Sequence, residues 1–380
     1  MILVTGGAGF IGSHLVSLLV HQGHAVRVLD TLSPQIHGVI PGAGLDWLTS
    51  LPGLQFHRGS VCDPADLRAA LEGVVTVVHL AAETGTGQSM YQIDRYCRAN
   101  VQATALLMDL ITNDSSLTVK RVVLASSRSI YGEGAYVRAD SPQGPRITPL
   151  SRSAEALRKA AWEPVCPITG APLNAVPTRE DDRTAPASIY AATKLMQEDI
   201  VRISCAAVRV GYAILRLQNV YGEGQSLANP YTGILSIFST RVRRGLELPV
   251  FEDGLESRDF VHVSDVAAAL SAAVCAERAP NTEVNVGSGV ATPVNEIARS
   301  LCRAFNVPEC TRITGQYRLG DIRHNMADVS RLSSVLGLAP IVSLEEGLAR
   351  FAAWVQTQPL LDDGLDKANQ ELVRRGMMGQ

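Results

Sequence analysis

The feature that most constrains the fold is the segment Val4–Gly12, which reads VTGGAGFIG. Its glycines, Gly6, Gly9 and Gly12, recur every three residues between an apolar run that predicts a strand and a stretch with helical apolar spacing. Glycines at these positions permit a tight turn, close approach of the backbone to a pyrophosphate and close packing of the helix on the strand. The helix N-terminus adds partial positive charge. The segment therefore predicts a dinucleotide site at the end of the first strand.

Asp30, which ends the second predicted strand, fits the same site. It follows the glycines by about twenty residues, where a carboxylate can accept hydrogen bonds from both ribose hydroxyls of adenosine. A carboxylate there would repel a 2′-phosphate, and Thr31 and Leu32, which come next, offer no arginine to hold one. NAD rather than NADP is therefore the predicted cofactor. Asp63, in a loop after a later strand, is expected to reach the adenine.

The composition excludes several other functions. The chain has 380 residues, of which 46% are hydrophobic and 19% are charged, an ordinary mixture for a globular protein with a sizeable core. Its net charge is −3 and it has no basic block, so neither nucleic acid nor a membrane surface is an expected partner. The N-terminus shows no targeting pattern and no apolar run approaches ~18 residues, which predicts a cytoplasmic protein. The seven cysteines form no C-x-x-C pair, so we expect neither a disulfide framework nor a metal site.

The order of the predicted elements favours an α/β fold. Short β-rich runs alternate with helical patterns in the N-terminal half, as expected for a Rossmann-type, doubly wound parallel sheet. The segments that predict strands are residues 1–5, 25–30, 74–82, 121–127 and 212–217. An NAD-binding Rossmann domain is therefore expected over residues 1–220.

The remaining segments are expected to be arranged around this domain. An insertion at about 136–186, partly loop and with a helical patch around Ala154–Trp162, is expected to lie over the edge of the sheet. Residues 221–345 predict a smaller mixed α/β C-terminal lobe that binds the substrate, with residues of about 258–292 returning to the Rossmann domain. Residues 346–380 predict a helical extension past the lobe.

Tyr190 and Lys194 are the candidate catalytic pair. They lie four residues apart at the start of a predicted helix, and hence on one face of it. A tyrosine hydroxyl, with an ordinary pKa of ~10, is a poor base at neutral pH. A neighbouring ammonium and a bound, positively charged nicotinamide both stabilise the phenolate and lower that pKa. A tyrosine and a lysine at this spacing often occur by chance. The glycine motif strengthens the catalytic interpretation, and so does Ser127, a strand-end serine that can orient the same substrate oxygen.

The chain also resembles a known family. It is similar to the extended short-chain dehydrogenase/reductases, specifically the NAD-dependent nucleotide-sugar epimerase/dehydratase group, in the ordered segments TGGAGFIG, HLAA, NVQAT, SSRSIYG, YAATK, NVYGEGQ, RDFVHVSD and GDIRHNMAD. This resemblance covers nearly the whole chain. It implies that Tyr190 is the acid/base, that Lys194 lowers its pKa and binds ribose, and that Ser127 orients the substrate.

The resemblance implies two sets of binding residues and a partner. The residues expected at the cofactor are Gly6, Gly9, Phe10, Ile11, Gly12, Asp30, Val61, Asp63, Leu80, Ala81, Ala82, Asn100, Ser126, Tyr190 and Lys194. Those expected at a nucleotide-diphosphate sugar are Thr86, Gln88, Ser127, Arg128, Asn219, Arg258, Arg318 and Asp321. Arg258 and Arg318 can form bidentate contacts with a diphosphate that is held rather than cleaved. The resemblance also implies a homodimer. It would be joined through two helices of each subunit, one of which is the helix that contains Tyr190.

Arg128 separates this chain from part of the family that it resembles. In the similar 4,6-dehydratases an acid pair follows the orienting hydroxyl and eliminates water across C5–C6, and similar uronate decarboxylases use a carboxylate there. Arg128 and Ser129 occupy those positions here. A guanidinium stays protonated and cannot act as the general acid. Dehydration and decarboxylation are therefore not expected.

The leading hypothesis is an NAD-dependent 4-epimerase, which inverts C4 of a nucleotide sugar through a transient 4-keto sugar. The long insertion and the loop TGTGQSM resemble a branch that acts on dTDP-L-rhamnose. Three alternatives stay open, namely a UDP-glucose/UDP-galactose-type 4-epimerase, a nucleotide-sugar 4-ketoreductase or dehydrogenase, and a catalytically silent scaffold.

Overall fold

Parallel strands form the centre of the protein. Its structure, a computed structural model, describes residues 1–37, 45–227 and 233–379. The strands of this part of the chain are, in order, β1 (Ile2–Thr5), β2 (Val26–Asp30), β3 (Leu54–Arg58), β4 (Thr76–His79), β5 (Arg121–Ser127), β6 (Tyr136–Arg138), β7 (Leu173–Ala175), β8 (Gly211–Leu217), β9 (Asn219–Tyr221), β10 (Leu248–Val250), β11 (Ser257–His262), β12 (Glu283–Val286), β13 (Ala291–Pro293), β14 (Thr311–Ile313), β15 (Tyr317–Arg318) and β16 (Met378–Gly379). Seven of these described strands form one parallel sheet in the order β12-β8-β5-β4-β1-β2-β3.

Helices cover both faces of this sheet. The α-helices of the described residues are, in order, α1 (Phe10–His21), α2 (Pro34–His37), α3 (Trp47–Ser50), α4 (Pro64–Leu71), α5 (Thr86–Ser89), α6 (Ile93–Tyr96), α7 (Ala103–Asn113), α8 (Ala154–Arg158), α9 (Ile189–Val208), α10 (Ile234–Arg243), α11 (Val263–Cys275), α12 (Val294–Ala304), α13 (Ser330–Leu336), α14 (Leu344–Thr357) and α15 (Leu365–Arg374). A π-helical stretch, Cys97–Gln102, leads into α7, and a 3-10 turn, Arg128–Tyr131, follows β5. None of these described helices combines the length and the apolar character that crossing a membrane requires.

The two faces of the sheet bury different helices because neighbouring residues of a strand point to opposite faces. Val4 packs with apolar residues of α1 and α11 on one face, and Leu3 packs with those of α4, α7 and α9 on the other. This arrangement confirms the predicted Rossmann-type, doubly wound fold. The strand order reverses between β1 and β4, so the carboxyl ends of these strands open the crevice in which such folds bind ligands.

The strand predictions agree with the structure at four of the five segments. β1, β2, β5 and β8 match the predicted ranges to within one residue at either end. The segment 74–82 forms a shorter strand, β4, because the chain leaves the sheet after His79. Leu80, Ala81 and Ala82 are then free to face the crevice.

A second apolar core lies in the C-terminal part of the chain. α10, α12 and α14 pack there beside β10, with Phe238, Leu301 and Phe351 buried. β11 belongs to a separate small sheet with β9 and β13, whereas α11 and β12 rejoin the central sheet. The domain boundaries at residues 220 and 345 stay predictions.

The insertion at about 136–186 is mostly loop, with β6 paired antiparallel to β7. Its helix, α8, ends at Arg158, earlier than expected, because Ala160 adopts a left-handed conformation with a φ of 53°. The insertion contacts the edge strand β12 through Glu180, whose carboxylate accepts a hydrogen bond from the backbone N–H of Asn285 at 2.7 Å. Further buried contacts reach the C-terminal lobe, for example through Arg152.

We expected the C-terminal segment to extend past the lobe, but in the structure it folds back. α14 is part of the lobe core, and α15 folds back over the crevice. β16 then pairs antiparallel with β15. Folding back buries Leu365, Ala368 and Leu372, the apolar face that a protruding amphipathic helix would expose to water.

Candidate active site

A cavity of about 770 Å³ opens at the carboxyl ends of β1, β2, β4 and β5. It begins at the glycine turn before α1 and ends beside β15 and α15, so it runs between the two apolar cores. All the predicted cofactor residues line this cavity except Asp63 and Asn100, and all the predicted substrate residues line it except Gln88. The fold therefore brings residues from most of the predicted motifs into one place.

The glycine turn is shaped so that a side chain would not fit at its tightest points. Gly6 has a φ of 69°, in the left-handed region, and a Cβ on it would lie 2.8 Å from the backbone nitrogen of Ala81. A Cβ on Gly12 would lie 2.5 Å from the carbonyl oxygen of Gly6. Gly9 and Phe10 line the cavity where α1 begins, so the helix N-terminus can bind an anion there.

Asp30 lines the cavity at the end of β2. Its Oδ2 accepts a hydrogen bond from the backbone N–H of Ala8 at 3.1 Å, and its Oδ1 accepts one from the backbone N–H of Leu32 at 2.9 Å. These bonds hold the carboxylate beside the glycine turn. A carboxylate can accept about four hydrogen bonds, so capacity remains for two ribose hydroxyls. The glycine turn and Asp30 together fit the adenosine diphosphate half of NAD.

Asp63 lies outside the cavity because its carboxylate caps a helix. Its Oδ1 accepts hydrogen bonds from the backbone N–H groups of Ala65 at 2.8 Å and Asp66 at 3.0 Å, which satisfies free donors at the start of α4. Val61 and Cys62, just before it, line the cavity instead.

Asn100 and Gln88 also lie behind the cavity wall. The side chain of Asn100 accepts a hydrogen bond from the backbone N–H of Glu83 at 2.8 Å and donates one to Oγ1 of Thr193 at 3.0 Å. It thereby ties the loop after β4 to α9. The side-chain oxygen of Gln88 accepts a hydrogen bond from the hydroxyl of Tyr96 at 3.1 Å. In both cases the predicted ligand-binding group is used within the protein.

Tyr190, Lys194 and Ser127 line the cavity together. α9 begins at Ile189, and the hydroxyl of Ser188 caps it by accepting a hydrogen bond from the backbone N–H of Ala191 at 3.2 Å. Tyr190 and Lys194 follow one turn apart in this helix. The hydroxyl of Ser127, at the end of β5, interacts with that of Tyr190.

The ammonium of Lys194 is buried beside the central sheet. It donates a hydrogen bond to the carbonyl oxygen of Ala125 at 2.9 Å. Burial lowers the pKa of Lys194 to about 8, and the carboxylate of Glu198, one turn further along α9, opposes this shift. Lys194 is therefore still mostly protonated at neutral pH.

Burial raises the pKa of Tyr190 above its ordinary value. The interaction with Ser127 and the positive charge of Arg128 oppose the shift. The role of Lys194 in lowering this pKa stays a prediction, and Arg128 is a further cation of the cavity wall that acts in the same direction. Tyr190 is thus a neutral phenol at neutral pH, and a bound, positively charged nicotinamide would lower its pKa further.

Two arginines lie at the far end of the cavity. Nη2 of Arg258 donates a hydrogen bond to Oδ1 of Asp321 at 3.0 Å. The guanidinium of Arg318 stacks on the ring of Phe251, 4.7 Å from its centroid, and its buried Nε has no hydrogen-bond partner among the described residues. The side-chain oxygen of Asn219, nearby in the cavity wall, is likewise buried without a partner in that part of the chain. The guanidinium groups of Arg258 and Arg318, together with the Nε–H of Arg318, are suited to binding the negative charge of a diphosphate.

The loop after β4 supplies the wall next to Tyr190. Thr86 lines the cavity, as expected. Ser89 does not reach it, because its Oγ accepts a hydrogen bond from the backbone N–H of Tyr190 at 3.1 Å and donates one to the carbonyl oxygen of Thr86 at 2.6 Å. Ser89 thus holds the start of α9 against this loop.

Sequence reasoning missed the C-terminal helix as part of the site. Leu365, Ala368 and Leu372 of α15 line the cavity. Asn369, in the same helix, accepts a hydrogen bond from Nη2 of Arg318 at 2.8 Å. The amphipathic pattern of α15 was the available signal, but it indicates that one face is buried without indicating what covers it.

A buried ion network supports the far end of the cavity. The carboxylates of Glu252, Asp253 and Glu256 lie within 4.8 Å of one another. Arg323 donates to Glu252 at 3.0 Å and to Asp253 at 2.7 Å, and Arg152, from the insertion, donates to Glu252 at 2.8 Å. These arginines supply the positive charge that a metal ion would supply. The network joins the insertion to the lobe that carries the two cavity arginines.

Comparisons with known proteins agree with this geometry. The family model described as the NAD dependent epimerase/dehydratase family matches residues 2–163 and 166–287. A dTDP-L-rhamnose 4-epimerase of Burkholderia thailandensis is 37% identical to this chain over 363 residues, which are 93% of this chain and 94% of that protein. A UDP-glucose 4-epimerase of Mycolicibacterium smegmatis is 30% identical over 351 residues, which are 92% of this chain and 96% of that protein.

A solved structure shares the fold. MoeE5 in complex with UDP-glucuronic acid and NAD matches with a TM-score of 0.72 and 31% identity. The match covers 93% of this chain and 98% of the MoeE5 chain.

Proposed function

The chain belongs to the NAD-dependent epimerase/dehydratase family, and we propose that it is an enzyme that inverts C4 of a nucleotide-diphosphate sugar. The observation that carries the proposal is the position of Tyr190 beside Ser127 in the cavity, with Arg128 where dehydration would need an acid. The cofactor of this family is NAD, and the glycine turn and Asp30 fit it.

The residues that hold NAD follow from the cavity wall. The N-terminus of α1 would hold its diphosphate, Asp30 the adenosine ribose and Lys194 the nicotinamide ribose. The ammonium of Lys194 donates once to Ala125, which leaves two of its three N–H donors for ribose hydroxyls. NAD bound there would supply the hydride acceptor for C4 and the hydride that returns to the same carbon.

The side chains around C4 transfer the proton of the 4-hydroxyl group. Tyr190, as phenolate, accepts the proton of the 4-hydroxyl and later returns it to the 4-oxygen. Ser127 donates a hydrogen bond to the same oxygen and orients it. Inversion requires the 4-keto sugar to turn over between the two transfers, while Arg258 and Arg318 hold its diphosphate in place.

The sugar that we propose is dTDP-L-rhamnose. Support comes from the Burkholderia protein of that activity, which is similar over most of both chains. The apolar face of α15, with Leu365 and Leu372 in the cavity wall, suits a sugar with a methyl group in place of a hydroxymethyl group.

Product analysis tests the proposed function. The purified protein, supplied with NAD, is incubated separately with dTDP-L-rhamnose, UDP-glucose and UDP-N-acetylglucosamine, and NMR detects the C4-inverted sugar. We expect inversion of dTDP-L-rhamnose without a net change in absorbance at 340 nm, and a loss of roughly 10³-fold in rate in Tyr190→Phe. No inversion of any of the three sugars would contradict the proposal. A stoichiometric change at 340 nm would instead indicate a dehydrogenase or ketoreductase.

We also propose a homodimer that forms through the outer face of α9. Met196 and Ile203, seven residues apart and hence on one side of the helix, are 50% and 61% exposed. Packing α9 against its copy would remove both side chains from water. Light scattering after gel filtration should give the mass of a dimer, and Ile203→Glu should give a monomer. A monomeric wild-type protein would count against this assembly, and the cytoplasmic location stays a prediction from the sequence.

A further inference from the structure

Arg128 differs from the other arginines around the cavity because its guanidinium has no partner in the part of the chain that the structure describes. Within the described residues, neither a hydrogen bond nor an ion pair reaches this side chain. By contrast, Arg258 donates to Asp321 at 3.0 Å, and Arg318 donates to Asn369 at 2.8 Å. Among these cavity arginines, Arg128 therefore has its full hydrogen-bonding capacity available for a bound group.

The position of Arg128 is poorly solvated. Burial lowers its pKa to about 10, and the positive charge of Arg258 acts in the same direction, whereas the carboxylate of Asp321 opposes both. The side chain is still a cation at neutral pH. Arg128 is partly buried in the cavity wall, so an anion that binds beside it displaces less water than it would from a fully solvated cation. The site is therefore built to receive negative charge.

The location of Arg128 indicates which negative charge it meets. It directly follows Ser127, opens the 3-10 turn after β5 and lines the cavity with Tyr190. Its charge acts on the phenol of Tyr190. The diphosphate already has Arg258 and Arg318 at the far end of the cavity.

We propose that Arg128 stabilises the negative charge shared by Tyr190 and the 4-oxygen of the sugar while the proton moves between them. The proton passes from the 4-hydroxyl to the phenolate oxygen and back, and the guanidinium keeps all its protons throughout. Arg128 thereby adds, beside the phenol, to the role that the sequence pattern assigned to Lys194. The part of the proposal that concerns the sugar rests on the proposed function, but the effect on Tyr190 requires no sugar.

The other charged groups near Tyr190 are bonded within the protein or neutral. Tyr96, whose ring stands edge-on to that of Tyr190 at 6.5 Å, has a pKa raised well above neutrality by burial. The groups around these two rings are the Arg95–Glu83 ion pair beyond Tyr96, Lys194 and Glu198 in α9, His79 in β4, and Asp321 with Arg258 across the cavity. Burial lowers the pKa of His79 to about 3, so it is neutral. Among these cations, Arg128 is the one whose side chain has no hydrogen bond within the described residues.

Titration of Tyr190 in Arg128 variants tests the proposal. Phenolate absorbance is followed against pH with NAD bound, and the signal of the matching Tyr190→Phe variant is subtracted so that only Tyr190 is observed. Removing a nearby cation raises the pKa of a phenol, so Arg128→Gln should shift the Tyr190 transition to higher pH by about one unit. Arg128→Lys, which keeps the charge, should shift it by less than half as much. Arg258→Gln is the matched control, because it removes a cavity cation that already has a carboxylate partner, and it should leave the transition nearly unchanged.

The pH dependence of turnover gives a second test of how the charge of Arg128 affects Tyr190. Tyr190 must be ionised to act as the base, so the acid limb of kcat/KM should move to higher pH in Arg128→Gln by the same amount as the phenol transition. Circular dichroism and NAD affinity equal to those of the wild type would show that the variant folds.

Three results would overturn the proposal. The first is a Tyr190 transition that does not move in Arg128→Gln. The second is a loss of turnover confined to nucleotide-linked uronates, which would assign Arg128 to a sugar carboxylate. The third is weaker binding of dTDP or UDP alone with an unchanged transition, which would assign it to the diphosphate. Because the titration uses NAD and no sugar, its outcome is separate from the success or failure of C4 inversion.

Discussion

The ammonium of Lys194 lies 2.9 Å from the carbonyl oxygen of Ala125 and donates a hydrogen bond to it. This contact joins α9 to the end of β5 across 69 positions of the chain. It holds a charged group in a place where burial lowers its pKa from 10.5 to about 8. The site therefore contains a charge that costs stability in the absence of ligands, as functional sites often do.

Replacing this charge should stabilise the protein while abolishing its activity. Lys194→Met removes a desolvated ammonium, and we expect the free energy of unfolding without NAD to rise by about 2 kcal/mol at pH 7, after subtraction of the lost hydrogen bond. Turnover should fall by roughly 10²-fold or more. Calorimetry and NMR rate measurements check the two effects.

The pH dependence of this gain has a definite sign. Between pH 8 and 10.5 the unfolded wild-type chain binds a proton at Lys194 that the folded protein has released, so wild-type stability rises with pH in that window. The advantage of Lys194→Met should be largest at or below pH 7 and should vanish towards pH 10.5. A variant less stable than the wild type at pH 7 would show that the ammonium is better solvated than the structure indicates.

Asp30 and Asp63 form a matched pair for testing the cofactor site. Asp30→Asn weakens the acceptor for the adenosine ribose and removes the charge that repels a 2′-phosphate. We expect NAD affinity to fall by about tenfold and the preference for NAD over NADP to shrink, as measured by isothermal titration calorimetry. Asp63→Asn should destabilise α4 by ~1 kcal/mol or less and leave NAD affinity unchanged, because its carboxylate caps that helix outside the cavity. Equal losses of NAD affinity in both variants would contradict this assignment.

Two adjacent residues of α15 test whether the C-terminal helix forms part of the substrate site. Leu372 is 6% exposed and lines the cavity, whereas Val373, next to it, is 55% exposed. Leu372→Glu places a carboxylate in the wall that faces an anionic substrate, so KM for the nucleotide sugar should rise by about tenfold. Val373→Glu introduces the same charge on the outer face and should leave KM within about twofold of the wild type. Indistinguishable KM values for the two variants would mean that α15 does not contact the substrate.

The buried pair of Arg216 and Glu198 should dominate the stability of α9 against the sheet. Nη2 of Arg216 donates to Oε2 of Glu198 at 2.8 Å, and both side chains are less than a tenth exposed. Glu198→Gln leaves the guanidinium buried without its counter-ion, and the free energy of unfolding should fall by about 3 kcal/mol. Asp199→Asn, in the same helix, breaks an exposed pair with Arg202 and should cost less than ~0.5 kcal/mol. Urea denaturation compares the two variants, and similar costs would show that Arg216 finds another partner.

The sequence was informative wherever the signal is local. Gly6 identifies the turn because few other residues adopt its left-handed conformation, and Gly12 does so because a side chain there would meet the carbonyl oxygen of Gly6. β-rich runs alternating with helical patterns predicted four of the central strands to within a residue, and the four-residue spacing placed Tyr190 and Lys194 on one face. The site predictions were less complete where a side chain had two possible partners. Asp63 matched a cofactor position by its place in the chain, yet the free N–H groups of α4 lie nearer to it than the cavity does.

The sequence by itself determined the parallel sheet, the dinucleotide turn and the Tyr190–Lys194 pair, because backbone conformation and side-chain direction depend on residues that are close in the chain. Only the tertiary structure decided that α15 forms a wall of the cavity, that Asn100 and Gln88 turn away from it, and that Arg128 has no partner among the described residues. Each of these depends on which groups from distant segments come within hydrogen-bonding distance once the chain has folded, and no spacing in the sequence records that distance.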